Sequence, residues 1–586
     1  MHSSDSSTDA PRAALRDFAR VFARGDHAQV AAYIATSLLA ALAGSVAALL
    51  LAALIQPSTV LPFADRWPGA AASFDAHAAL FAIATGMFAL LRWSASCLGA
   101  RLAARCGELL RRGVHARLIR AKLASLADSS SAEIANVLTY NIEIVVHGFS
   151  AALQLLVAII TTVVTLAFAL WMAPPLLLAL PVFAAFAWMA ARLFGREQSR
   201  TSREYVAGMT RLFWRGEDFP RRLRHVRSFG RQEADDASYG DIAAQLGRGY
   251  RRQLELAAHG RLLLELLAAA AIAAAFVLAQ RWNGFGQANL VAVCLLLGRL
   301  LPYLASTRQG IQQLRSAAPA LGLWRRYMAL EAESTPAPQV REQGGRASHG
   351  LAGTLRIDRV RLPPSIVALE VRSLVLAPGE LTLVCGDSGI GKSCLVDILA
   401  GMMEPAAFEA DAGGHAIDFD GYRALVATGA YVSQQVRPWH ASARESLLWA
   451  APDASDARMW EALADVGLDR RLHRSDRGLD TALQDSGSRF SGGELQRLLL
   501  AQVLLRQPAL AILDEATGAL DAASEREVLS TLQRRLPHTA VVVVSHRTAL
   551  ASMAAQSLEI DGSGVATGAR RRVEPARDAL ASALER

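Results

Sequence analysis

Two short stretches in the second half of the chain carry residue types that can hold a phosphate and break a bond to it. "GDSGIGKS" fits G-x-x-x-x-G-K-[ST], with Gly386, Gly391, Lys392 and Ser393 in the defining places. Its glycines let the successive N–H groups of Asp387, Ser388, Gly389, Ile390 and on to Cys394 curl around an anion. The N-terminus of the following helix adds a partial positive charge. Lys392 can place a compact ammonium on β- and γ-phosphates, and the Ser393 hydroxyl is placed to bind Mg²⁺. "LAILDE" is an apolar strand ending on Asp514 and Glu515. Asp514 is expected to hold the Mg²⁺ shell and Glu515 to polarise an attacking water as general base. The chain has 61 lysines and arginines, of which only Lys122 and Lys392 are lysine. A drift to arginine that spares Lys392 fits a loop needing a small charge on a thin stem rather than a planar fork.

These residues need a scaffold of strands feeding helices. From 352 to 570 the sequence alternates apolar strands ("LTLVC", "AYVSQ", "LAILD", "AVVVVS") with helical stretches, which predicts an α/β domain with a largely parallel sheet. Residues 332–351 gain Pro, Gly, Ser and charge and read as a linker, and 571–586 as a tail. The first half is different in kind. The whole chain is 52% hydrophobic and 19% charged, which points to membrane segments. Uncharged or nearly uncharged runs at about 30–55, 78–97, 148–171, 175–194, 262–281 and 286–306 predict six spanning helices within a domain of residues 29–331. The arginine-rich stretches 98–147 and 195–261 read as helical continuations reaching on the order of 25 Å beyond the membrane. Turns near 124–131 and 212–221 are expected to meet a cytoplasmic domain.

The charge pattern sets an orientation. Segments 56–77, 172–174 and 282–285 hold one arginine, Arg66, with Arg281 at an edge, whereas Arg12, Arg16, Arg20 and Arg24 precede the first span. This bias puts both termini and the long loops in the cytoplasm. The net charge of +8 is then topological, and no nucleic-acid partner is needed. The segment 1–28 has no apolar run with a cleavage site, so no signal peptide is expected. Five scattered cysteines predict no disulfide and no metal cluster.

With these motifs in order, the chain resembles an ABC transporter of the exporter type, a six-helix membrane domain fused to one P-loop nucleotide-binding domain. "RFSGGELQR" is similar to the family signature through Ser491, Gly492 and Gly493, with Glu494 where Gln is commoner. "YVSQ" matches the Q-loop through Gln434, "GALD" the D-loop through Asp521, and "VVVVSHR" the switch histidine, His546. The resemblance implies that Gln434 touches Mg²⁺ and the lytic water, that His546 orients Glu515, and that Ser491 faces the ATP of a second chain. It implies two composite sites in a homodimer that uses ATP and Mg²⁺. The family's adenine-stacking aromatic has no counterpart in "IDRVRLPPSIVAL", which predicts loose base preference.

The expected activity is ATP-driven export across a bacterial inner membrane. A mature antibacterial peptide of the lasso or microcin kind is the first expectation for the cargo. A lipid flippase or hydrophobic-compound exporter is the alternative, and a non-transporting regulatory ATPase a more distant one. No leader-cleaving domain is expected in the 28 residues before the first span. Arg92, Glu265 and Arg299 are ionisable residues inside predicted spans, and so candidates for cargo contact. Pro302 is a candidate bend.

Overall fold

The computed structural model describes residues 27–55, 74–172, 287–332 and 351–570, with most of 197–281, apart from short stretches such as 484–489. The expected span at 175–194, the tail 571–586 and almost all of segments 1–28 and 332–351 lie outside the described residues. The chain divides near Ala332 into a helical unit and an α/β unit.

The helical unit is built on α1 (His27–Ile55), α2 (Phe74–Ile119), α3 (Ile142–Met172), α4 (Gln232–Arg281) and α5 (Gln287–Met328). Among the described residues, the stretches His27–Ile55, Phe74–Ile119 and Ser131–Trp171 are long and apolar enough to cross a membrane. The last two expected spans fall within α4 and, from Gln287 on, α5. Helix α2 runs from its apolar half into the arginine-rich half without a break over 46 residues. At 1.5 Å per residue that is roughly 70 Å, more than twice the hydrocarbon thickness. After α2 ends at Ile119 a one-turn helix follows at Leu123–Leu126, and the next helix, Ser131–Asn136, is capped by Ser130, whose hydroxyl accepts Glu133 N–H. A π-helical turn at Val137–Asn141 then leads into α3, a feature the helical periodicity does not announce. Pro302 and Pro319 both lie within α5.

The α/β unit carries a ten-stranded sheet in the order β5-β4-β1-β2-β10-β9-β3-β8-β7-β6. Strands β3 (Leu381–Gly386), β6 (Ala430–Ser433), β7 (Leu510–Asp514), β8 (Ala540–Val544) and β9 (Gln556–Ile560) pair in parallel. Alternate residues feed two cores: Leu383, Leu513 and Val543 enter one, and Val384, Ile512 and Val544 the other. Such burial on both faces is why these strands read as continuous apolar runs. The rest of the sheet departs from the expectation. Strands β1 (Leu355–Arg361), β2 (Glu370–Leu376), β4 (Ala407–Ala412) and β5 (His415–Ile417) pair antiparallel. Strand β10 (Val565–Arg570) runs parallel to β2 and antiparallel to β9. The alternating exposure of β1 and the charge on β2 mark strands with one wetter face, for which antiparallel pairing is the common solution.

Candidate functional site

The phosphate loop joins β3 to α6 (Lys392–Leu399). Two glycines are required by geometry. Gly391 caps the helix at φ +104°, and a side chain at Gly386 would come within 2.5 Å of the Ile560 carbonyl. Lys392 is 7% exposed, and its Nζ donates to the carbonyls of Gly386 (2.6 Å) and Asp387 (2.8 Å), so the ammonium bridges the loop. Ile390 and Cys394 turn their side chains to the hydrophobic core beneath the loop. Of these two predicted binding residues, only the backbone N–H groups remain for an anion.

Strand β7 delivers Asp514 and Glu515 beside the loop's sheet edge, because β7 and β3 both pair with β8. The site thus lies at the C-terminal ends of parallel strands, as expected for an open α/β sheet. Glu515 has φ +52°, an uncommon backbone conformation for a non-glycine residue, fixed by its N–H to Val544 O and by Gly518 N–H to its own carbonyl. His546 Nε2 stands 2.9 Å from Glu515 Oε1, the dyad the sequence predicts. Ser433 pairs with Asp514 in the sheet, and Gln434 N–H donates to the Asp514 carbonyl at 3.1 Å. That brings Gln434 beside the acid pair. Ser393, Asp514 and Gln434 offer only oxygen among their metal-binding atoms, a donor set suited to Mg²⁺.

Three features of the site were not foreseen. Tyr431 donates to Asp514 Oδ2 at 2.8 Å; burial and that bond together push its phenol upward. Asp397, on α6, has its carboxyl pushed up to about 6, chiefly by burial and then by the charge of Asp514. Behind Glu515 lies a clamp. Glu525, 2% exposed, accepts from Thr517 Oγ1 (2.6 Å) and from Arg547 Nη1 (2.6 Å). Arg547 also donates to Leu520 O through both terminal nitrogens at 3.2 Å. Gln496 Oε1 accepts Ala519 N–H at 3.1 Å. The segment after Glu515 is therefore tied both to the residue following His546 and to the helix that begins after Ser491.

That helix, α7 (Gly492–Arg506), starts with a full capping box. Ser491 Oγ accepts Glu494 N–H, and Glu494 Oε2 accepts Ser491 N–H at 2.7 Å. Asp521 caps α8 (Ala522–Arg535) by accepting from Ala523 and Ser524 N–H, bonds that hold its carboxyl below the usual range. Glu494 and Asp521, predicted as nucleotide contacts, thus have their carboxylates engaged by their own helices. Ser491 and Gly492 are exposed, and among the described residues no hydrogen bond joins them to the phosphate loop.

In the helical unit the three predicted cargo residues separate. Arg92 lines a cavity of about 500 Å³ between α1, α2, α3 and α5. Glu265 is exposed on α4 and is not part of that wall. Arg299 lies on α5, with its side chain outside the described residues.

Two family models match the chain: "ABC transporter transmembrane region" over residues 30–297 and "ABC transporter" over 369–518. An ATP-dependent lipid A-core flippase of Chromobacterium violaceum is 28% identical over 361 residues, covering 60% of each chain. A protein of the same name from Ralstonia nicotianae is 29% identical over 51% of this chain and 50% of its own. A glutathione/L-cysteine transport system ATP-binding/permease protein of Escherichia coli is 37% identical over 31% of each chain. The chain therefore spans only about half to three fifths of the length of the flippases it matches. The solved structure of a bacterial Atm1-family ABC exporter with ATP bound shares the fold, with a TM-score of 0.73 over 92% of this chain and 95% of the other, at 20% identity. A lasso-peptide or microcin exporter is not among these relatives.

Proposed function

The chain belongs to the ABC transporters, and from that premise we propose that it is an ATP-driven exporter of an amphipathic, lipid-like compound across the bacterial inner membrane. The observation that carries this reading is the dyad of His546 and Glu515, 2.9 Å apart, beside a phosphate loop on the same chain as membrane-spanning helices. The names of the flippase relatives favour the lipid-like alternative over the peptide expected first.

The loop N–H groups and Lys392 would cradle the phosphates of ATP. Ser393, Asp514 and Gln434 would hold Mg²⁺, which supplies charge neutralisation of the phosphates. Glu515 is placed to take a proton from water. An Nε2–H on His546 would fix the carboxylate's direction while leaving Oε2 for that water. The signature helix presents its exposed N-terminus, with Ser491 and Gly492, to the γ-phosphate held by a second copy. This supports a homodimer with two composite sites. The arginine bias supports cytoplasmic termini.

The test is ATP-dependent redistribution of a fluorescent lipid between leaflets of proteoliposomes holding the purified full chain. Wild type should move the lipid and Glu515→Gln should not. Equal, ATP-independent movement in both would refute the reading.

A further inference from the structure

The turn at Ser491 carries a negative charge where an anion has to approach, and one arginine answers it. Glu494 sits in the first turn of α7, three residues after the Ser491 cap. Its two carboxylate oxygens have different partners. Oε2 accepts Ser491 N–H at 2.7 Å, and Oε1 stands 3.6 Å from Arg471 Nε. The Arg471 guanidinium also lies over the ring of Phe490, with Cζ 5.3 Å from its centroid, within reach of a cation–π attraction. It therefore meets both the residue before Ser491 and the residue that holds the Ser491 N–H. Among the described residues, no other cation stands within ion-pair distance of Glu494.

Arg471 has a fixed seat. It belongs to the short helix Asp469–His473. Its neighbour Leu472 is fully buried, in the core that also takes Leu498 and Leu499 of α7. The ring of His473 stacks on Trp460, with centroids 4.0 Å apart. Arg497 of α7 donates to the carbonyl of Val466, just before the short helix. The guanidinium is thus presented by a segment packed against α7.

The placement of the charge decides what it does. A helix N-terminus offers its partial positive charge to an anion, and a carboxylate in the same turn offsets much of that attraction. Arg471 restores the balance. Its hold on Oε1 also keeps the carboxylate turned so that Oε2 meets Ser491 N–H, which fixes the backbone of the turn.

We propose that Arg471 is a positioning residue for ATP hydrolysis: it neutralises Glu494 and fixes the turn through which Ser491 meets the phosphate held by a second copy. The inference rests on the two-copy reading above and adds to it a residue that itself touches no nucleotide.

The test is steady-state phosphate release by the purified full chain in neutral-lipid nanodiscs, over a range of ATP concentrations at saturating Mg²⁺. Arg471→Met should raise KM for ATP roughly fivefold or more, the effect of one partly screened charge, while kcat stays within about twofold. Arg471→Lys should recover most of the loss, because a point charge still neutralises Glu494. Glu494→Gln keeps an oxygen for Ser491 N–H but removes the charge, so alone it should lower KM. Adding Arg471→Met to Glu494→Gln should then cost less than about twofold. That cancellation separates neutralisation from a folding defect, which Glu494→Gln would not repair. A KM for Arg471→Met within about twofold of wild type, or an equal loss in both backgrounds, overturns the assignment. Ser491→Arg fills the turn with a bulky side chain and should abolish turnover under the two-copy reading. If it does so while Arg471→Met behaves as wild type, only the role of Arg471 falls. If Ser491→Arg turns over as wild type, the two-copy reading falls with it.

Discussion

Arg547 is the most exposed member of a clamp whose other end is buried, and replacing it by Met isolates what the clamp does. The guanidinium gives one hydrogen bond to Glu525 and two to the Leu520 carbonyl. Without it, the Glu525 carboxylate, 2% exposed, keeps one described bond, from Thr517. Breaking a fully buried ion pair costs about 3–5 kcal/mol. The Arg547 side chain is 40% exposed, so water can reach the side of the carboxylate it leaves. That lowers the expected cost to about 2–3 kcal/mol, the lost bonds to Leu520 included. For a domain of this size each kcal/mol moves a melting midpoint by roughly 2–4 °C. Arg547→Met should therefore lower the unfolding midpoint of the α/β unit by about 5–10 °C in the full chain.

Adding Glu525→Gln removes the stranded charge, so the double variant should be more stable than the sum of the single losses by about 1 kcal/mol or more. ATP turnover should fall in Arg547→Met, because Leu520 and Ala519 belong to the segment that follows Glu515. The assay is thermal unfolding of the single and double variants, followed by intrinsic fluorescence, alongside phosphate release. A midpoint within about 2 °C of wild type, or strict additivity in the double variant, would refute the view that Arg547 matters by neutralising Glu525.

Three further outcomes follow from the site. Lys392→Arg keeps the charge but places a bulkier fork where Nζ now fits between the carbonyls of Gly386 and Asp387; phosphate release should fall on the order of a hundredfold, and more than a tenth of wild-type turnover would contradict this. Asp397 has its carboxyl raised from 3.8 to about 6, so the unfolded chain gives up that proton first as pH rises. Stability is then lost between about pH 4 and pH 6, and the penalty persists above it. Asp397→Asn should stabilise the nucleotide-free protein in EDTA at pH 7.5 by about 1 kcal/mol, discounted for a half-exposed group, with the gain gone at pH 4; equal gains at both pH values would count against it. The segment before the phosphate loop holds Leu362 and Val367 against Gly391 and no aromatic ring. GTP should accordingly be hydrolysed within a few-fold of ATP in side-by-side kinetics, and a preference of tenfold or more would defeat that expectation.

The parts of the site legible in the sequence are those set by local spacing. A strand, a glycine turn and a helix start within a dozen residues place Lys392 and Ser393. Asp514 and Glu515 follow a run of apolar residues that only a doubly buried strand tolerates. The parts missed depend on contacts between distant positions. Tyr431 reaches Asp514 across 83 residues and Arg547 reaches Glu525 across 22, and neither pair has a fixed spacing to read. The antiparallel half of the sheet was missed for another reason. Strands such as Ala407–Ala412 and His415–Ile417 are short, with half-exposed or exposed residues and no clean period. In the helical half, residue content predicted the continuous α2 and its arginine-rich extension. It gave no sign of the π-turn at Val137–Asn141, where the chain still reads as an ordinary helix.

The signature turn shows how one stretch can carry two meanings. Ser491 and Glu494 also satisfy S-x-x-E, and the capping box they form engages both side chains in starting α7. What is left to meet a phosphate is the Ser491 hydroxyl proton and the N–H groups of Gly492 and Gly493, together with the positive end of a 15-residue helix. A glutamate at this position adds a negative charge where an anion must approach. Arg471 stands 3.6 Å from Glu494 Oε1 and moderates that charge. The same logic applies to Asp521, whose carboxylate is held by two N–H groups of its own helix. Both acids fix where a helix begins; under the proposed reading, a helix that begins one residue out of place would aim its N–H groups away from the phosphate of the second copy.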